Sequence, residues 1–150
     1  MIQIRMMNES DMQPLYADPA LKRLLLAEAW GDTYCIVAEE NGEIVGGLSG
    51  SVSGDEAALQ VCAAGGAAGT SEAVLTEGLV RSILYVLDKR GVVRAYMVMD
   101  VNPAIAEKIG FTRMETLPEW IKPERKNGWS IDIKTFLAQD CCGCGGKRPE

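Results

Sequence analysis

The chain has 150 residues, 47% hydrophobic and 24% charged, which suits one domain with its own core and not a disordered segment or a disulfide framework. With 21 acidic residues against 15 basic ones its net charge is −6, which repels polyphosphate and sets nucleic acid aside as a partner. Histidine is absent, so Ser-His-Asp and Cys-His nucleophilic systems and histidine-based zinc sites are excluded; acid–base chemistry falls to Asp, Glu, Tyr, Lys, Cys or bound water.

Met1-Ile2-Gln3-Ile4-Arg5 reads as the start of a strand over residues 2–7 and lacks the pattern of a signal peptide. No run approaches the ~20 apolar residues of a membrane span, so a cytoplasmic protein with no membrane partner is expected. Asn8-Glu9-Ser10-Asp11 is a helix-start signal, with Ser10 and Gln13 at capping-box spacing. Asp18-Pro19 is a cleaner start, opening a helix that carries Leu21, Leu24, Leu25 and Ala29 toward a core. A strand follows over 33–39, then Asn41-Gly42, a hairpin turn needing positive φ at both central positions, and a return strand over 44–52. Ser53-Gly54-Asp55 turns the chain into a third strand of this meander, 56–63. Cys35 and Cys62 lie inside apolar runs, where a free cysteine is usually a small buried group.

The pattern then changes. A loop of small residues, 65–71, runs into a helix over 71–90, with Leu75, Leu79, Val80, Ile83, Leu84 and Leu87 on one face and Gly91 ending it. Gly78 inside this helix suggests close packing. Residues 92–101 suit a central strand, Asn102-Pro103 caps a short helix over 104–109, and strands are expected over 111–117 and 129–137, the last after Asn127-Gly128. The order implies an α/β (α+β) fold with a mixed sheet of about seven strands and helices on both faces. The domain is assigned to 1–137 and a flexible Cys/Gly-rich tail to 138–150.

The unit most suggestive of binding is the strand 56–63, the loop 65–70 and the following helix. Unpaired N–H groups at a helix N-terminus, with small residues beside them, make a plausible pyrophosphate cradle. No Gly-Lys-Ser/Thr ends it, so it is no Walker loop, and its spacing does not fit a dinucleotide fingerprint. Alone, the loop reads equally as a flexible connection.

The element order, the hairpin with Glu43-Ile44-Val45-Gly46-Gly47, and above all Glu107-Lys108-Ile109-Gly110-Phe111 resemble the GNAT superfamily of acyl-CoA-dependent N-acetyltransferases. The resemblance runs from the opening strand to Leu137 and implies a mostly antiparallel twisted sheet whose fourth and fifth strands splay to admit acetyl-CoA. It implies Val61, Cys62 and Ala63 for the pantetheine arm, and Gly65, Gly66, Ala67, Ala68, Gly69 and Thr70 for the phosphates. Asn102 is either the family asparagine after the fifth strand or only a helix cap, and the cap is the simpler reading.

The chain departs from the family in three places. The loop lacks its leading Gln or Arg, the fourth helix is about one turn short, and the tyrosine that often protonates the departing thiolate is replaced by Ala106. Catalysis can survive this, because positioning carries most of the gain and a general acid adds only about 10²–10⁴-fold. Glu56 is a candidate base and Tyr96 a candidate acid, although Glu56 also reads as a solvated turn residue and Tyr96 as core packing. The expected function is N-acetyl transfer from acetyl-CoA to a small-molecule or peptide amine, which the acidic composition favours in cationic form. The alternative is a non-catalytic CoA-binding or regulatory protein. A homodimer could form if the last strand's edge pairs with a second copy.

In the tail, Cys141, Cys142 and Cys144 combine C-x-x-C spacing with a third thiol. Such thiolates can hold Zn²⁺, Cu⁺ or an iron–sulfur centre, or cycle as a dithiol, but a tetrahedral site needs a fourth ligand from elsewhere. An exposed tail with no folded role explains them equally well.

Overall fold

In the computed structural model, which describes residues 1–66, 69–122 and 128–145 and side chains as far as Gln139, β1 (Ile2–Met6) pairs antiparallel with β2 (Asp32–Glu40). Between them lie a 3-10 turn (Glu9–Asp11), α1 (Met12–Ala17) and α2 (Pro19–Lys22). The capping box belongs to Asn8 and Asp11, not to Ser10 and Gln13: Asn8 Oδ1 accepts from the Ser10 N–H at 3.0 Å, and the Asp11 carboxylate accepts from the Asn8 N–H at 2.8 Å. Asp18 caps α2 as expected, accepting from the Ala20 N–H. That helix ends at Lys22, so Leu21 and Leu24 are buried while Ala29 is exposed on the loop that follows.

The Asn41-Gly42 turn has φ of 53° and 82° and joins β2 to β3 (Glu43–Ser53). The sheet continues through β4 (Glu56–Ala63), β5 (Arg94–Met97), β6 (Thr112–Met114) and β7 (Gly128–Asp132) in the order β1-β2-β3-β4-β5-β7-β6. All neighbours are antiparallel except β4 and β5. β7 lies between β5 and β6, so the last strand is not an edge of the sheet; the edge strands are β1 and β6.

On one face lie α3 (Glu72–Lys89), α4 (Pro103–Ile109) and α5 (Ile133–Gly145), sharing a core with Tyr34, Ile36, Leu48 and Leu59. The opposite face holds Leu15, Leu21 and Leu24 of the first helices and their connection, packed on Cys35, Val37 and Ala63. All six apolar positions expected on α3 are buried. Gly78 is not a close contact: a Cβ there would meet only Ile4 Cδ1, at an ordinary 3.7 Å.

The last element differs most from expectation. The strand expected over 129–137 stops at Asp132, whose carboxylate accepts from the Thr135 N–H at 3.1 Å as a helix cap does. Ile133 and Phe136, both buried, stand one helical turn apart, a period that a strand cannot use. The boundary placed after Leu137 therefore falls inside α5.

Candidate functional site

The parallel pair β4–β5 is in register from Glu56 opposite Arg94 to Leu59 opposite Met97. Its last link is the Val98 N–H donating to the Leu59 carbonyl at 3.1 Å. Beyond that the strands part: β4 runs on to Ala63 paired with β3 alone, leaving the other edge of its last residues unpaired by β5. A bulge sits where the parting begins, because Ser49 faces Val61 and Gly50 faces Leu59, so Gln60 has no counterpart. The extra residue resets the alternation. Leu59 and Cys62, three positions apart, both pack on the α3 side, while Val61 and Ala63 turn to the α2 side.

A cavity of about 330 Å³ opens at the parting, on the α3 side. Cys62 and Ala64 form its floor, Glu72, Ala73 and Thr76 of α3 one wall, and Asp100 to Asn102 with Ile105 of α4 the other. Ser71 caps α3, accepting from the Val74 N–H at 3.2 Å. The N–H groups of Glu72 and Ala73 have no partner within the helix, as in any first turn. In that loop Gly66 is required by contact, since a Cβ would come within 2.6 Å of the Val45 carbonyl oxygen; at Gly65 and Gly69 a Cβ would meet nothing within 4 Å.

Burial pushes the Cys62 thiol up to about 11; a Thr76 hydrogen bond pulls it back, the Glu72 carboxylate raises it and Arg23 lowers it. Cys35, also buried, is pushed up to about 12. Cys35 is a small buried thiol as expected, whereas Cys62 is only partly buried and lines the cavity.

Glu56 and Tyr96 are brought together, on the other face of the sheet. The Tyr96 hydroxyl donates to Glu56 Oε2 at 3.2 Å, and the Trp120 indole donates to Oε1 at 2.8 Å. Burial, and then the Glu56 carboxylate, push the Tyr96 phenol above its ordinary value, so it stays protonated at neutral pH. Tyr96 stands beside Ala58 in register, and bonding back to Glu56 aims its hydroxyl away from the parting. Glu56 lies three residues before Leu59, about 10 Å along the strand. Trp30 completes this cluster with Val98, Leu117 and Ile121. Its loop is tied down through the Trp30 N–H to Ser51 Oγ (3.0 Å), Ser51 Oγ to Gln60 Oε1 (2.5 Å) and Gln60 Nε2 to the Glu28 carbonyl (3.1 Å). Among the described residues, Trp30 Nε1 and Ser49 Oγ are buried with no hydrogen-bond partner.

This fold has counterparts among solved structures. An acetyltransferase of the GNAT family from Staphylococcus aureus Mu50 aligns over 89% of this chain and 99% of its own, with a TM-score of 0.65 at 12% identity. The ribosomal-protein-S18-alanine N-acetyltransferase of Escherichia coli aligns over 89% of this chain and 94% of its own, at 0.64 and 18%. The PaiA N-acetyltransferase of Thermoplasma acidophilum, in complex with coenzyme A, aligns over 88% and 99%, at 0.60 and 11%. The chain has the GNAT acetyltransferase fold. No protein-family model and no curated protein matches it.

Within the GNAT fold, Cys62 and Asn102 meet in one cavity, and Asn102 is also the α4 cap, accepting from the Ala104 N–H at 2.9 Å. Ala106 is fully buried in the core, and the neighbouring Ile105 is the α4 side chain in the cavity. Glu72, Thr76 and Asp100 were not legible as site residues, because each becomes one only through the packing of elements distant in sequence. Ala67, Ala68 and the side chains of Cys141, Cys142 and Cys144 lie outside the described residues. Among the described residues no cluster of three metal-ligating side chains occurs, and no helix is long and apolar enough to cross a membrane.

Proposed function

We propose that this chain transfers an acyl group, most simply acetyl, from acyl-CoA to an amine. The observation that carries this reading is the cavity where β4 and β5 part, with the α3 N-terminus at its side. The pantetheine arm lies along the unpaired edge of Val61, Cys62 and Ala63, where backbone groups pair with its amides. The pyrophosphate rests at Gly65–Thr70 against the first-turn N–H groups of α3, which have no acceptor within the helix. Glu72, in the cavity wall, opposes the phosphates and keeps affinity moderate.

In the transfer, the neutral amine nitrogen forms a bond to the thioester carbonyl carbon, and the carbon–sulfur bond breaks with its electron pair leaving on sulfur. The proton lost by nitrogen passes to water and the thiolate takes one back, so charge and atoms balance without a resident acid. Positioning supplies most of the acceleration. Glu56 and Tyr96 stand about 10 Å from the parting, too far to touch the reacting amine, and take no part in this step.

The test is calorimetric titration of the reduced protein with acetyl-CoA and with CoA, using Gly69→Trp as the loop variant. Gly69 has open space around it, whereas a side chain at Gly66 would strike Val45. Micromolar binding that Gly69→Trp weakens supports the reading and justifies an amine screen. No binding at millimolar ligand would sink it.

A further inference from the structure

We propose that Glu56, together with Trp120 and Tyr96, is a subsite for a second cationic group on the acceptor, so that the preferred acceptors are diamines or longer polycations. This rests on the acyltransferase reading, since the position of the reacting amine follows from it.

The Glu56 carboxylate has room for about four hydrogen bonds and receives two, both from neutral donors. Among the described residues no cation pairs with it. Arg94, its neighbour in register, reaches instead to Asp132 at 3.6 Å and Ser130 at 3.4 Å, although its charge still acts on Tyr96. The carboxylate is half-buried and held from two sides by Trp120 and Tyr96, whose rings add cation–π attraction for an ammonium.

The geometry sets the length. The donor cavity opens on the α3 face and the Glu56 cluster sits on the opposite face, so an acceptor on that face meets the thioester through the gap beyond Leu59 and Val98. From that gap to Glu56 is three residues of strand, about 10 Å. An acceptor with one amine at the gap and an ammonium at Glu56 therefore carries its two nitrogens about that far apart. The separation also explains why Glu56 holds a charge here instead of removing the proton from the reacting amine.

The experiment compares diaminopropane, diaminohexane and diaminooctane with propylamine, hexylamine and octylamine. Affinity is measured by calorimetry on the CoA-mixed protein, and turnover with acetyl-CoA, for wild type and Glu56→Gln. The glutamine keeps an acceptor for Trp120 and nearly the same shape. Diaminooctane is expected to exceed octylamine by roughly tenfold in wild type. Diaminopropane, too short to span, gains nothing over propylamine. In Glu56→Gln the turnover advantage of diaminooctane over octylamine disappears. In wild type the advantage shrinks as salt is raised. Equal affinity of diaminooctane and octylamine, or an advantage that survives in Glu56→Gln or ignores salt, overturns the subsite. Calorimetry with the amines needs no turnover, so failure to bind acetyl-CoA removes the acyltransferase reading separately.

Discussion

Tyr34 and Ala58 stand on strands that do not pair, yet the Tyr34 hydroxyl donates to the Ala58 carbonyl at 2.6 Å, over Gly50 of the strand between them. A Cβ at Gly50 would collide with both groups, so the glycine is what lets the bond form. The bond lies directly before the Gln60 bulge and anchors the stretch of β4 that precedes the parting. Tyr34→Phe leaves a buried carbonyl without its partner and is expected to cost about 1–2 kcal/mol in urea unfolding. Unchanged stability would show that the carbonyl finds another donor. Gly50→Ala should be the more damaging, because its Cβ strikes the β4 backbone at Ala58 as well as the Tyr34 ring, where Tyr34→Phe removes only a hydroxyl.

Gly78 offers the opposite case. It lies within α3, and a Cβ there meets only the flexible end of Ile4, at 3.7 Å. Gly78→Ala should therefore stabilise the protein by about 0.5–1 kcal/mol, through helix propensity and a less flexible unfolded chain. Thermal unfolding reads the sign directly; a lower midpoint would mean that β1 approaches α3 more closely than this contact implies.

Arg5 ties the first strand to the turn that follows. Its guanidinium holds Asp11 at 2.8 and 3.0 Å and Glu39 at 2.8 Å, and Asp11 is nearly buried. The hydrogen bond from Arg5 holds the Asp11 carboxyl below its ordinary 3.8, aided by the Asn8 N–H and opposed by burial. A depressed carboxyl stabilises the fold above its unfolded value, and that stability is lost as pH falls through the folded one. Asp11→Asn should thus cost about 1–3 kcal/mol at pH 7, and the gap to wild type should close below about pH 4. A gap constant down to about pH 2 would mean that the charge is not what matters.

How much of this was readable beforehand depends on where each signal resides. The Asn41-Gly42 hairpin, the bounds of β4, the face of α3 and the Asp18 cap are local, and the sequence order alone located them. Asp132 shows the limit: followed by Ile133 and Phe136 it reads as a continuing strand until the Thr135 N–H is seen to bond its side chain. The cavity was half legible. Cys62 and Asn102 were placed from the family resemblance, but Glu72, Thr76, Asp100 and Ile105 join them only because β4 and β5 part. The bulge at Gln60 is what turns Cys62 toward α3, and nothing local announces it. Likewise Trp120 meets Glu56 from 64 residues away, a pairing no spacing rule reaches.

Cys62 provides a direct probe of the cavity. Its thiol is pushed up to about 11, chiefly by burial, and it lines the space assigned to the pantetheine arm. At pH 7 the thiolate fraction is on the order of one in 10⁴, so alkylation by iodoacetamide should be slow and rise about tenfold per pH unit into the alkaline range. The reaction is best followed by peptide mass spectrometry in a variant carrying Cys141→Ser, Cys142→Ser and Cys144→Ser. Saturating CoA should suppress labelling of Cys62 while leaving that of Cys35, on the opposite face of the sheet, unchanged. Fast labelling at neutral pH would mean that the thiol is less buried than the cavity implies. Equal labelling with and without bound CoA would place the arm away from β4, and with it the assignment of Val61 to Ala63.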